Sequence, residues 1–338
     1  MKHLYVHDVV DPQALGRLRA LPGLRVTVEE NLDEQETWSL PGEMAGGVHA
    51  LLTSYAPANL RAMTALEWIQ ISSVGYTQLV GLGLPDAGVR ACNARGIFDV
   101  PIAEWNVSMM VNLARDLRGM IRNQEAGVWD RAARYQQEVR GAVVGIWGYG
   151  GIGRETARLC KAMGMRVHVL SRAGVQPRAG VYCVPGTGDP EGLLPDRVFL
   201  PEEREAFLRG LDILLISMPL TDQTRGIVGE AELRALPERA FVLNPARGPI
   251  VNEAALLRAL REGWIAGAAL DTHYIYPMPP DHPLWSFPNV IMTPHISGST
   301  LSPHFKGRLW DILAANVDRW LSGRPLLNEL TPAQLRGG

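Results

Sequence analysis

The chain has 338 residues, 46% hydrophobic and 20% charged, with 33 Lys and Arg against 35 Asp and Glu for a net charge of −2. Balanced charge excludes the broad basic footprint of a nucleic-acid binder, and no block of like charges forms an acidic or basic tail. At roughly 100–200 residues per domain the length accommodates two cores. Cys92, Cys160 and Cys183 lack metal-ligand spacing and read as reduced thiols.

The N-terminus reads as a first strand, not a signal peptide, and no run of ~18 apolar residues occurs to cross a membrane. A cytoplasmic protein is expected by default. Strands are predicted at 4–6, 24–28, 48–53, 68–71 and 89–91, with a helix at 12–20. A Gly/Asn loop at 93–96 leads through Pro101 into one long helix over 102–122, apolar on most faces and therefore expected to be buried. Further strands are predicted at 142–147, 167–170, 212–217, 241–243, 267–270 and 290–292, and an amphipathic helix at 303–321. Short apolar runs alternating with helices specify an α/β chain with parallel sheets. A long interval separates residues 170 and 212; its stretch 185–190, Pro-Gly-Thr-Gly-Asp-Pro, is turn chemistry and predicts a surface excursion.

Gly148-Tyr149-Gly150-Gly151-Ile152-Gly153 fits G-x-G-x-x-G between a strand and a helix. In that context Gly148 permits a tight turn, Gly150 admits a pyrophosphate to the backbone, and Gly153 lets helix pack on strand. Gly151 and Ile152 are read as cofactor-binding residues ahead of a helical pattern over 154–163, whose free N-terminal N–H groups suit phosphate. The next strand ends at Ser171-Arg172, where a cofactor lacking a 2′-phosphate would ordinarily meet an acidic residue. A hydroxyl and a guanidinium there favour NADP(H), with NAD(H) possible.

Ligands of open α/β sheets bind beyond the carboxyl ends of the strands. Met218-Pro219, Pro245-Ala246-Arg247, Asp271 and His295 all follow predicted strands. An arginine suits a carboxylate, and a histidine exchanges a proton near neutral pH. Together with a nicotinamide they fit reduction of a ketone beside a carboxylate. Trp105 and Trp285 read as packing residues, His273 and His282 as loop residues. No metal site is expected, His3 and His7 included.

With these segments the chain resembles the D-isomer-specific 2-hydroxyacid dehydrogenase family over nearly its whole length. The resemblance is carried by Ile71-Ser72-Ser73-Val74-Gly75, the 148–153 motif, Pro219-Leu220-Thr221-Asp222-Gln223-Thr224, Asn244-Pro245-Ala246-Arg247-Gly248, Ala269-Leu270-Asp271 and Thr293-Pro294-His295-Ile296-Ser297-Gly298. It implies two Rossmann-like or flavodoxin-like lobes with parallel sheets: a discontinuous substrate lobe, 1–101 plus 299–338, and an inserted nucleotide-binding lobe, 102–298. It implies that Arg247 binds the substrate carboxylate and carbonyl, that His295 is the acid/base, and that Ser73, Val74 and Gly75 help to hold the carboxylate. It places Met218, Pro219, Thr224, Pro245, Ala246, Asp271 and Gly298 around the cofactor, Asp271 near the carboxamide. The partners implied are a small 2-keto or 2-hydroxy acid and a second copy of the chain, with neither nucleic acid nor membrane.

One position departs from the family. The glutamate that usually precedes a proline and pairs with the catalytic histidine is replaced by Tyr276. A tyrosine is expected to orient His295 without charging it. Two other activities on this scaffold are a nucleotide-sensing interaction protein and a dehydrogenase of a different small substrate, such as formate or phosphonate.

Overall fold

Continuous apolar runs, such as Ala50-Leu51-Leu52-Thr53, can only be buried on both faces, and parallel sheets meet that demand. The computed structural model describes residues 1–31, 37–132, 134 and 136–337. It resolves into two compact units, Met1–Ile97 with Gly180–Val184 and Thr300–Gly338, and Phe98–Ala179 with Pro185–Ser299. The short piece Gly180–Val184 joins the first unit, which the sequence did not foretell; the Tyr182 N–H donates to Asn328 Oδ1 at 3.1 Å.

In the first unit β1 (Lys2–His7), β2 (Leu24–Val28), β3 (Ala50–Thr53), β4 (Trp68–Ile71) and β5 (Arg90–Cys92) form a parallel sheet in the order β2-β1-β3-β4-β5. The helix Pro12–Arg19 starts where Asp11 accepts the Ala14 N–H at 2.9 Å, with proline in its first turn. The helix Pro303–Leu321 belongs to this unit. It buries Leu309, Trp310, Ile312, Leu313 and Val317, and the Trp310 indole donates to Val9 O at 2.8 Å. Its buried Asn316 donates to Gln70 Oε1 at 3.0 Å, so a polar pair inside the core is satisfied.

The second unit carries seven parallel strands in the order β12-β11-β10-β9-β6-β7-β8. They are β6 (Val143–Trp147), β7 (Arg166–Leu170), β8 (Arg197–Phe199), β9 (Ile213–Ile216), β10 (Phe241–Asn244), β11 (Gly267–Leu270) and β12 (Val290–Met292). The order reverses between β6 and β9, which opens a crevice at their carboxyl ends. β8 is an addition to the expected strands. It has three residues and only Phe199 is buried, too little apolar signal to mark it in sequence.

The single helix expected over 102–122 is two helices, Asp99–Ala114 and Leu117–Glu125. Between them Asp116 takes a left-handed φ of 48°, which aspartate tolerates better than most residues. Its buried carboxylate accepts Arg134 Nη2 at 3.1 Å, and a Cβ on Gly119 would lie 2.7 Å from it. Burial follows this division: the first helix buries Ala103, Asn106, Met109, Met110 and Leu113, whereas no residue of the second is buried.

Candidate active site

The glycine motif lies at the crevice. Gly148 has φ 99°, and a Cβ there would sit 2.6 Å from Ser217 O at the end of β9. Gly153 is equally constrained, its would-be Cβ 2.7 Å from Gly148 O. Gly150, by contrast, would meet nothing within 4 Å, so its backbone faces open space. It caps the helix Gly151–Ala162 without offering a side chain to the first-turn N–H groups. Closed where the chain must pack and open where a phosphate would approach, this cradle fits a dinucleotide. Ile152 is half-buried in the first turn.

Ser171 follows β7, its N–H donating to Phe199 O at 3.1 Å, and the Arg172 side chain is exposed. Met218 is buried at the end of β9. Pro219 opens a turn that Thr224 closes, the Thr224 hydroxyl donating to Pro219 O at 2.8 Å. Pro245 is buried and Ala246 half-buried after β10.

Asn244, not singled out from the sequence, shapes this turn. Its Oδ1 accepts the Ala246 and Arg247 N–H groups at 3.1 and 3.3 Å, and its Nδ2 donates to Arg247 O at 2.9 Å. The exposed Arg247 guanidinium is thereby presented from a locked backbone; its Nη1 donates to Ala246 O at 2.7 Å.

His295 stands on a strained loop, with φ 58°, an uncommon conformation for a residue with a Cβ. Asp271 holds it there. This fully buried carboxylate accepts the Thr293 hydroxyl at 2.5 Å, the Ile296 N–H at 2.9 Å, the Ser297 N–H at 3.0 Å and the Ser297 hydroxyl. Four hydrogen bonds occupy the acceptor capacity of a carboxylate. Asp271 therefore braces the chain on both sides of His295. The Thr293 hydroxyl also accepts the Trp105 indole N–H at 3.1 Å, which gives that tryptophan a bracing role. Gly298 closes the loop where a Cβ would press on the Phe98 ring at 3.0 Å.

Tyr276 makes no hydrogen bond to His295. The His273 N–H donates to the Tyr276 hydroxyl at 3.0 Å, and the Tyr276 ring lies tilted beside His295 with centroids 5.6 Å apart. The tyrosine thus bounds His295 by packing, and among the described residues no hydrogen bond reaches the His295 ring. His273, read as a loop residue, is buried and donates from Nε2 to Thr293 O at 2.8 Å, a further tie on the same loop. The proton affinity of His295 is lowered by burial, then by the Arg247 and His273 charges, against the opposing pull of Asp271. Trp285 donates to Pro279 O at 2.9 Å, and His282 pairs with Glu253 at 2.7 Å, both contacts that shape loops.

In the first unit Ser73, Val74 and Gly75 follow β4 at its carboxyl end. The Ser73 hydroxyl donates to Gly75 O at 2.7 Å, Gln78 donates to Ser73 Oγ at 2.8 Å, and buried Asn93 donates to Val74 O at 2.8 Å. Gln78, unremarked in the sequence, and Asn93, read there only as part of a loop, tie this segment down.

A nucleotide crevice, an arginine on a locked turn and a braced histidine are thus carried by one unit. The family model described as D-isomer specific 2-hydroxyacid dehydrogenase, NAD binding domain, matches residues 107–297. A glyoxylate reductase of Thermofilum pendens is 30% identical over 291 residues, covering 84% of this chain and 79% of that one. A D-isomer specific 2-hydroxyacid dehydrogenase of Xanthobacter autotrophicus Py2, solved with NADPH and MES, is 27% identical with a TM-score of 0.75, covering 99% of both chains. A family protein from Aeromonas salmonicida has a TM-score of 0.77 at 26% identity, covering 98% of this chain and 99% of its own. The chain belongs to the D-isomer specific 2-hydroxyacid dehydrogenases, NAD(P)-dependent oxidoreductases that act on 2-hydroxy acids.

Proposed function

We propose that the protein reduces a short 2-keto acid to the D-2-hydroxy acid with NADPH as preferred cofactor, NADH serving less well. The observation that carries this reading is the pairing, on one sheet edge, of Arg247 on its Asn244-locked turn with His295 on its Asp271-braced loop. Names of relatives support a short substrate: several are glyoxylate reductases. NADPH preference rests on Ser171 and the exposed Arg172 after β7, in place of an acidic residue.

When bound in the crevice, the nicotinamide supplies a hydride to C2 of the keto acid, or accepts one in reverse. Arg247 binds the carboxylate with its planar fork and polarises the keto oxygen. Ser73, Val74 and Gly75 are the residues of the first unit that this reading assigns to the carboxylate. His295 delivers the proton that the developing alkoxide takes up. Tyr276 limits the motion of the His295 ring without adding negative charge. In the free protein, burial and Arg247 disfavour the protonated ring; a substrate carboxylate on Arg247 offsets that repulsion and favours protonation when it is needed. The working unit is a homodimer paired through the nucleotide unit.

Testing requires a panel of 2-keto acids with NADPH and NADH, for wild type and Arg247→Ala. Steady NADPH oxidation with short keto acids is expected, lost by about 10²–10³-fold in kcat/KM in the variant. Equal or better turnover with NADH overturns the cofactor preference. Undiminished turnover in the variant overturns the role of Arg247.

A further inference from the structure

Residues 171–196, between β7 and β8, are longer than a strand connection needs, and the fold gives much of this excursion a defined place. Although 185–190 turns at the surface, Asp189 within it is buried. The Tyr149 hydroxyl, from inside the glycine motif, donates to Asp189 Oδ2 at 2.7 Å. Asp189 also accepts the Leu193 and Leu194 N–H groups at 2.9 and 3.1 Å. Buried Arg154, in the first turn of the helix Gly151–Ala162, donates to Asp189 O, to Gln176 O and, at 3.3 Å, to Tyr149 O. The excursion is therefore tied at two points to the nucleotide motif.

What it delivers there is Arg178. The Arg178 N–H donates to Pro190 O at 2.8 Å, and its Nη1 donates to Asp99 Oδ2 at 3.0 Å. This pair lies directly over Gly151: a Cβ at that position would be 1.8 Å from Asp99 Oδ2 and 2.4 Å from Arg178 Nη1. Any side chain there would displace the guanidinium. The second terminal nitrogen, Nη2, is buried and has no hydrogen-bond partner. A buried, unpaired donor on a partly buried guanidinium is costly, so an acceptor is expected to complete it.

We propose that Arg178 is a ligand of the pyrophosphate of the nicotinamide dinucleotide, offering Nη2 to a phosphate oxygen while Asp99 keeps hold of Nη1. This rests on the assignment of the cofactor to the glycine motif. An arginine fork suits this sharing, one edge on a carboxylate and one on a phosphate. The position over the first residue of the helix selects the pyrophosphate; Ser171 and Arg172, at the end of β7, stand where a 2′-phosphate would lie. Asp99, an anion at a helix N-terminus, fixes the guanidinium in advance, so little ordering is left for the moment of binding.

Isothermal titration of the full chain with ADP, NADH and NADPH tests this, comparing wild type with Arg178→Ala and Arg178→Lys. Arg178→Ala is expected to weaken all three ligands by about tenfold or more, and to flatten the dependence of ADP affinity on ionic strength. Arg178→Lys keeps the charge without the fork and is expected to fall between, which holds the test open should the alanine variant not fold. Unchanged ADP affinity in the variants, or a lowered melting temperature alone, overturns the proposal. So does a loss confined to NADPH, which would place the guanidinium on the 2′-phosphate instead. A wild-type protein that binds none of the three overturns the cofactor assignment as well.

Discussion

At the scale of residues the proposed site turns on a histidine, His295, whose ring no carboxylate bonds among the described residues. The Tyr276 hydroxyl is engaged by the His273 N–H, and its ring packs beside His295. A glutamate there would favour the imidazolium through its negative charge; a hydrogen-bonded phenol offers no such charge. The lowered proton affinity of His295 has a definite sign: the protonated form needed for reduction is populated only as pH falls below that of an ordinary histidine. Reduction is therefore expected to decline toward alkaline pH earlier than in enzymes with the carboxylate. In Tyr276→Glu the descending limb of kcat/KM against pH is expected to move to higher pH; an unmoved limb contradicts this account of Tyr276. The positions of Arg247 and His295 at strand ends were legible in sequence because each follows an apolar run. The direction of the Tyr276 hydroxyl was not, because it depends on where the His273 N–H falls in a loop.

At the scale of elements, the 293–297 loop is positioned from beneath. Asp271 ties the chain before and after His295, and Trp105 and His273 tie Thr293. Asp271→Asn replaces one acceptor oxygen with a donor facing buried N–H groups, which costs about 1–3 kcal/mol for each group left unsatisfied. A lower melting temperature with a fall in kcat is expected, and cofactor affinity measured by titration should change little if Asp271 acts through the loop. Gly119→Ala probes another junction. Its new Cβ meets the Asp116 carboxylate, and a loss of stability of about 1–3 kcal/mol is expected in denaturant unfolding. That break between helices was hidden from sequence because apolar residues, Leu117 and Ile121 among them, continue the helical pattern past Asp116. Their exposure shows that the pattern outlasts the buried face. The strand β8 escaped for the opposite reason, with a single inward side chain.

At the scale of the whole molecule, two parallel sheets were readable because their strands are uninterrupted apolar runs buried on both faces. The membership of Gly180–Val184 in the first unit was not, since it rests on contacts such as Tyr182 with Asn328, far apart in sequence. No described helix is long and apolar enough to cross a membrane. The nucleotide unit exposes Val128 and Trp129, the latter 91% exposed. Sedimentation is expected to show a dimer that Trp129→Glu weakens; a wild-type monomer at micromolar concentration contradicts the homodimer. The most direct test of the central claim is isotopic. With NADPH deuterated at C4 of the nicotinamide, on the face from which hydride leaves, and a three-carbon 2-keto acid, the product is expected to be the D-2-hydroxy acid with deuterium at C2. Protium at C2 with NADPH labelled on either face, or the L-isomer, contradicts the account.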